Sequence, residues 1–84
     1  MAFVYILECS DGSLYTGWTS NLEKRLERHN EGKASKYTRS KRPVVLKYFE
    51  VCEDKSEALK REAEIKKMKR AEKLSLLEKF KREG

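Results

Sequence analysis

Glu62 is the first residue of this chain that packing alone does not explain. Ala58, Leu59, Ala63, Ile65 and Met68 form an apolar arc on a helical repeat, and at about 100° per residue Glu62 falls near its middle. A carboxylate there faces a sheet or a cleft. Desolvating it without a partner costs roughly several kcal/mol, so it calls for a cation, either an arginine or a bound metal. The plain alternative is a helix turned so that Glu62 lies at the rim, or a simple Glu–Arg pair. Arg25 and His29 are the second such feature. They stand four residues apart beside the buried edge marked by Leu22 and Leu26, so they share one helix face. Glu23, Lys24, Glu27 and Arg28 read as the solvated remainder of that helix. Tyr5, Tyr15, Tyr37 and Tyr48 complete the set, although any one strand tyrosine is as readily a packing residue.

Taken together, these types suit phosphodiester hydrolysis. A phenolate or an imidazole can take a proton from water, an arginine can neutralise charge on the phosphorane, and a carboxylate can hold a divalent ion at the leaving oxygen. No pair of carboxylates stands at a short motif spacing, which argues for a single ion.

The elements that must position these groups follow from the pattern. FVYILEC (3–9) and LYTGW (14–18) flank SDGS (10–13), two strand-like runs around an Asp-Gly turn signal. A two-residue loop would set Tyr5 and Tyr15 on opposite faces; a three-residue loop ending at Gly12 would set them on the same face. Ser20 with Glu23 fits a capping box, predicting a helix from Asn21 to Glu31 that stops at Gly32. Residues 33–43 read as a basic loop, and Pro43 opens a third strand over 44–52. A second helix runs from Asp54 to Lys69. A third spans 71–82, with Leu74, Leu77 and Phe80 on its stripe, broadened by Leu76. The order is β-β-α-β-α-α in one α+β domain, residues 1–84.

The net charge of +6 and pI of about 9.4 favour polyanionic partners. Nothing resembles a membrane anchor, and no run approaches the roughly 20 apolar residues of a membrane helix. Cys9 and Cys52 lack any second cysteine at zinc-site spacing. They read as buried thiols in a reducing, cytoplasmic setting.

The chain resembles the GIY-YIG nuclease superfamily over nearly its whole length. Tyr5 lies in FVYIL and Tyr15 in LYTGWT, ten residues apart. NLEKRL (21–26) matches the helix bearing the family's arginine, His29 the position one turn on, and ALKRE (58–62) the segment bearing the metal-binding glutamate. GKASKYTRSKRPVVLKYFE (32–50) is similar to small stand-alone bacterial GIY-YIG proteins. The sequence departs at Phe3, where the name-giving glycine would stand, at Thr16 for isoleucine, and at Trp18, where some members carry a lysine.

The resemblance implies a three-stranded, mainly antiparallel sheet flanked by helices, and a metal-dependent DNA endonuclease of the kind that serves repair or recombination. It implies one Mg2+ or Mn2+ ion on Glu62, Arg25 on the scissile phosphate, and Tyr5 or Tyr15 activating water with help from His29. The sequence leaves open which tyrosine is the base. Lys33, Lys36, Arg39, Lys41 and Arg42 around Tyr37 form a candidate DNA contact, the cations for phosphates and the ring for an unpaired base. Lys66, Lys67, Lys69 and Arg70 form a second basic run. Branched, nicked or single-stranded DNA is the expected partner. The competing expectation is a nucleic-acid-binding module without turnover, or one active only with a larger protein partner.

Overall fold

The computed structural model describes residues 1–83. They form β1 (Ala2–Glu8), β2 (Leu14–Thr19), α1 (Leu22–Asn30), α2 (Lys36–Arg39), β3 (Val45–Cys52), α3 (Lys55–Lys67) and α4 (Arg70–Glu83). The sheet order is β2-β1-β3 with both pairings antiparallel. The architecture is the α+β sheet-and-helix arrangement expected, with one additional short helix.

Alternation along the central strand divides the core in two. Ala2, Val4 and Ile6 face α3 and α4 and pack with Tyr48, Cys52, Ala58 and Ile65. Tyr5, Leu7 and Cys9 face the other way and pack with Val44 and with Leu22 and Leu26 of α1. Both cysteines are free and buried.

The hairpin settles the register that the sequence left open. The Cys9 amide donates to the Ser13 carbonyl at 2.8 Å, and the Gly12 amide donates to the Cys9 carbonyl at 2.9 Å. Gly12 has φ +85°, a conformation that favours glycine. The three-residue connection pairs Leu7 with Tyr15 and Tyr5 with Gly17, so both tyrosines point to the α1 face.

Several expectations need correction. The N-cap of α1 is Asn21, not Ser20. Asn21 is extended, its side chain accepts from the Lys24 amide at 3.1 Å, and its own amide is held by the Thr19 hydroxyl. The cap therefore sits one residue later than the capping-box spacing suggests. The basic loop is not wholly irregular. Ser35 caps the four-residue α2 by accepting from the Tyr37 amide. On α3, Leu59 is 41% exposed and Ala63 is exposed, so the buried ridge is Ala58 and Ile65 with Arg61 and Glu62 half-buried between. The helix is rotated toward its polar pair because Arg61 is tied to the sheet. Its side chain bonds Glu50 through Nε at 3.0 Å and Nη2 at 2.9 Å, and the Tyr48 hydroxyl donates to the same carboxylate. Leu74 is exposed on α4, where Leu76, Leu77 and Phe80 make the contact. α3 also ends at Lys67, two residues early, with Met68 as its C-cap.

Candidate active site

The pairing of Tyr5 with Gly17 builds the site. Tyr5 projects from β1 across β2 at the one position of that strand with no side chain, and its ring fills the space where a Cβ would stand. The hydroxyl is carried over β2 to the α1 side, where it meets the Nε2 of His29 at 2.8 Å. Both side chains are buried, at 2% and 1% exposure. Behind His29, its Nδ1 lies 2.8 Å from the Thr38 hydroxyl of α2, and that hydroxyl donates onward to the Ser35 carbonyl at 3.4 Å. With the Thr38 proton spent on Ser35, Thr38 accepts from Nδ1–H. His29 Nε2 is then the acceptor of the Tyr5 O–H.

The electrostatics keep this pair neutral. Burial, and then the charge of Arg25, push the His29 imidazole down to about 4. Burial, with the nearby Tyr15 and Glu62, pushes the Tyr5 phenol well above its ordinary value. Arg25 pulls it back, by charge and by hydrogen bonding. Arg25 is half-buried on α1, one turn before His29. Tyr15 is half-buried as well, its ring edge-on to His29 at 5.2 Å between centroids. Glu62, on α3, has only 17% of its side chain exposed, and Lys66 Nζ lies 3.5 Å from its carboxylate. Tyr5, Tyr15 and His29 therefore stand together with Arg25 beside them, and Glu62, on α3, acts on the Tyr5 phenol through its charge.

The basic loop divides instead of forming one surface. Tyr37 stacks on Tyr15 with centroids 5.8 Å apart, and Lys41 covers its other face, with Nζ 3.6 Å from the ring centroid. Bonding to Ser13 and Lys41 draws the Tyr37 phenol down. Lys41 is also paired with Asp11 at 3.6 Å. Base stacking on Tyr37 thus requires Lys41 to move. Lys33, Lys36 and Arg39 instead line two adjoining clefts to which neither Tyr37 nor Lys41 contributes. Arg42 is largely structural, with its guanidinium donating to the Arg39 carbonyl at 2.8 Å and the Asn30 carbonyl at 3.4 Å.

Among the described residues no three His, Cys, Asp or Glu side chains cluster as a metal cage. Mg2+ commonly uses one or two carboxylates plus phosphate oxygens and water, so a half-buried lone glutamate whose ion-pair partner is the exposed Lys66 fits such an ion. Thr38 and Gly17 are the contributors that sequence reasoning missed as functional. A lone histidine needs a partner for its second nitrogen, which is the signal that could have pointed to Thr38.

A profile of the GIY-YIG catalytic domain matches residues 1–75. The chain belongs to the GIY-YIG family. It is 63% identical over 76 residues to a UPF0213 protein of Syntrophus aciditrophicus (strain SB), covering 89% of this chain and 87% of the relative. It is 58% identical over 77 residues to a UPF0213 protein of Clostridium perfringens, covering 92% and 83%. Among solved structures, this GIY-YIG domain is similar to the solution NMR structure of a UPF0213 protein from Bacillus halodurans. The TM-score there is 0.60 at 42% identity, over 93% of this chain and 84% of that one. It also matches a solution NMR structure of a protein from E. faecalis, with a TM-score of 0.62 at 44% identity, over 93% and 83% of the two chains. The match to the GIY-YIG catalytic domain places this chain within a nuclease superfamily. No helix of the described residues is long and apolar enough to cross a membrane.

Proposed function

We propose that this GIY-YIG domain is a DNA endonuclease that hydrolyses phosphodiester bonds with one divalent ion, Mg2+ or Mn2+, held by Glu62, in the service of DNA repair or recombination. The observation that carries the reading is the buried hydrogen bond from Tyr5 to His29, backed by Thr38 and bracketed by Arg25 and Glu62. A neutral phenol bonded to a neutral imidazole acceptor is a proton relay. Water attacking phosphorus gives its proton to the Tyr5 oxygen as the Tyr5 proton passes to His29 Nε2. The new P–O bond forms as the bond to the leaving 3′ oxygen breaks, and that oxygen takes a proton from solvent. Arg25 holds the phosphate and offsets the charge that builds on it. The Thr38 bond fixes the tautomer that leaves Nε2 free to accept. A divalent ion on Glu62 would supply Lewis-acid neutralisation at the phosphate and the leaving oxygen.

In this reading Tyr5 is the buried relay that passes the proton to His29, and Tyr15 is the wall that orients the imidazole. Cleavage of plasmid and of nicked, branched and single-stranded oligonucleotides by purified protein in Mg2+ or Mn2+ tests the reading. Activity should vanish in Arg25→Ala and in Glu62→Gln. Cleavage that persists in both variants sinks it.

One observation favours a second reading, in which a larger partner protein is needed for activity. Glu62 is already paired with Lys66. A partner or substrate that draws Lys66 away would open the carboxylate, and cleavage that appears only on adding cell extract would identify this case.

A further inference from the structure

The face of α1 that sequence reasoning set aside as solvated is charge-segregated. At about 100° per residue, Glu23 and Glu27 fall on one side of the buried edge, and Lys24 and Arg28 on the other, next to Arg25. The structure shows where that cationic side leads. A cleft of about 420 Å3 is lined by Lys24, Arg25, Arg28 and Lys33 together with polar and small residues. It shares Lys33 and Ala34 with a second cleft that reaches Lys36 and Arg39, and that one shares Lys36 and Arg39 with a third that ends at Arg42. No carboxylate lines any of the three. None of these seven cations makes an ion pair among the described residues.

We infer that this continuous groove, from Arg25 through Arg28, Lys33 and Lys36 to Arg39, is the track that holds the sugar–phosphate backbone of a nucleic-acid strand on one side of the scissile phosphate. The inference rests on the proposed nuclease reading and extends it from the reacting phosphate to the strand that flanks it. Arg25 belongs to both, which sets the register between track and site. The groove offers ammonium and guanidinium groups and no aromatic face, because Tyr37 is stacked against Tyr15. Recognition along it is therefore of phosphates and not of bases, and it is indifferent to sequence. Unpaired cations beside one another repel, and a polyanion relieves that repulsion while releasing its counterions.

The test is equilibrium binding of fluorescein-labelled 20-mer DNA, single-stranded and duplex, in chelator, so that no chemistry is required. The charge variant is Arg28→Ala with Lys33→Ala and Lys36→Ala. The control removes the same charge from α4, as Lys73→Ala with Lys79→Ala and Lys81→Ala. Circular dichroism checks the fold of both. The track variant should lower the slope of log K against log salt by about 2–3, and the control by much less. Equal losses in the two variants, or an unchanged slope in the track variant, would overturn the track. So would binding of anionic phosphatidylserine vesicles through these residues with no binding of either oligonucleotide. Cleavage of the same oligonucleotides in Mg2+ is scored separately. A protein that binds through the track but never cuts, with or without cell extract, refutes the nuclease reading and leaves the track standing.

Discussion

Tyr5 and Gly17 face each other across β1 and β2, and a Cβ on residue 17 would stand 2.6 Å from the Tyr5 hydroxyl oxygen and 2.8 Å from the ring carbon that bears it. That ring is buried and its hydroxyl is bound to His29, so it cannot swing aside freely. Gly17→Ala should therefore cost about 1–3 kcal/mol of stability and pull the hydroxyl off His29. Thermal unfolding measures the first effect. The second appears as a lost or shifted His29 imidazole signal in NMR. A variant with wild-type stability and an unmoved His29 signal contradicts this account of the glycine.

Tyr5→Phe separates chemistry from packing. The ring stays, but His29 Nε2 loses the hydrogen-bond partner it has among the described residues, in a buried site. Such an orphaned group costs about 1–3 kcal/mol. Activity should fall about 10²–10⁴-fold. Tyr15→Phe should be far milder. Comparable losses in the two variants would remove the distinction drawn between the tyrosines.

The pH dependence of folding has a definite sign. His29 titrates at about 4 in the folded chain against an ordinary value of 6.5. Between those values the unfolded chain binds the extra proton. Stability from keeping His29 neutral is therefore complete above pH 6.5 and is lost as the pH falls toward 4. The loss is at most about 3 kcal/mol. His29 is the only histidine, so its ring protons can be titrated without ambiguity. An imidazole that protonates near 6.5 in the folded protein would contradict the burial argument.

Arg61→Ala should destabilise the fold by about 2–3 kcal/mol, because it strands the half-buried Glu50 carboxylate that Arg61 and Tyr48 share. Burial alone would raise the Glu50 carboxyl, yet the bonds from Arg61 and Tyr48 more than offset it and hold it low. That contribution is therefore present above the ordinary value of 4.5 and lost as the pH falls through the lowered one. Urea midpoints at pH 7 and pH 3 check both parts, and the difference between wild type and variant should shrink at the lower pH.

Lys66→Ala should expose Glu62 to a divalent ion. The pair is a surface-edge contact at 3.5 Å, with Lys66 half exposed. Its loss should lower the metal concentration for half-maximal cleavage by about two- to fivefold. A requirement for more metal in this variant would argue against Glu62 as the metal ligand.

Much of this protein was legible without coordinates because its signals are local. Alternation wrote the three strands, the Asp-Gly turn wrote the hairpin, and helical spacing placed Arg25 beside His29 and Glu62 on a buried ridge. The composition of Glu62, Arg25, His29 and two tyrosines was enough to name a chemistry. Other features depend on contacts between segments far apart in the chain. The register that puts Tyr5 over Gly17 is set by the three-residue turn and its positive-φ Gly12, a choice the sequence left open. The rotation of α3 is set by Arg61 on Glu50, which leaves Leu59 exposed against the apolar pattern. The partner of His29 comes from α2, nine residues on in a stretch with no apolar period. The basic loop reads as one positive run, yet its backbone winds a single turn, with Tyr37 and Lys41 packed on each other and Lys36 and Arg39 lining clefts to which neither contributes. Residue type and spacing fix which groups are available; only packing across the sheet decides which of them meet.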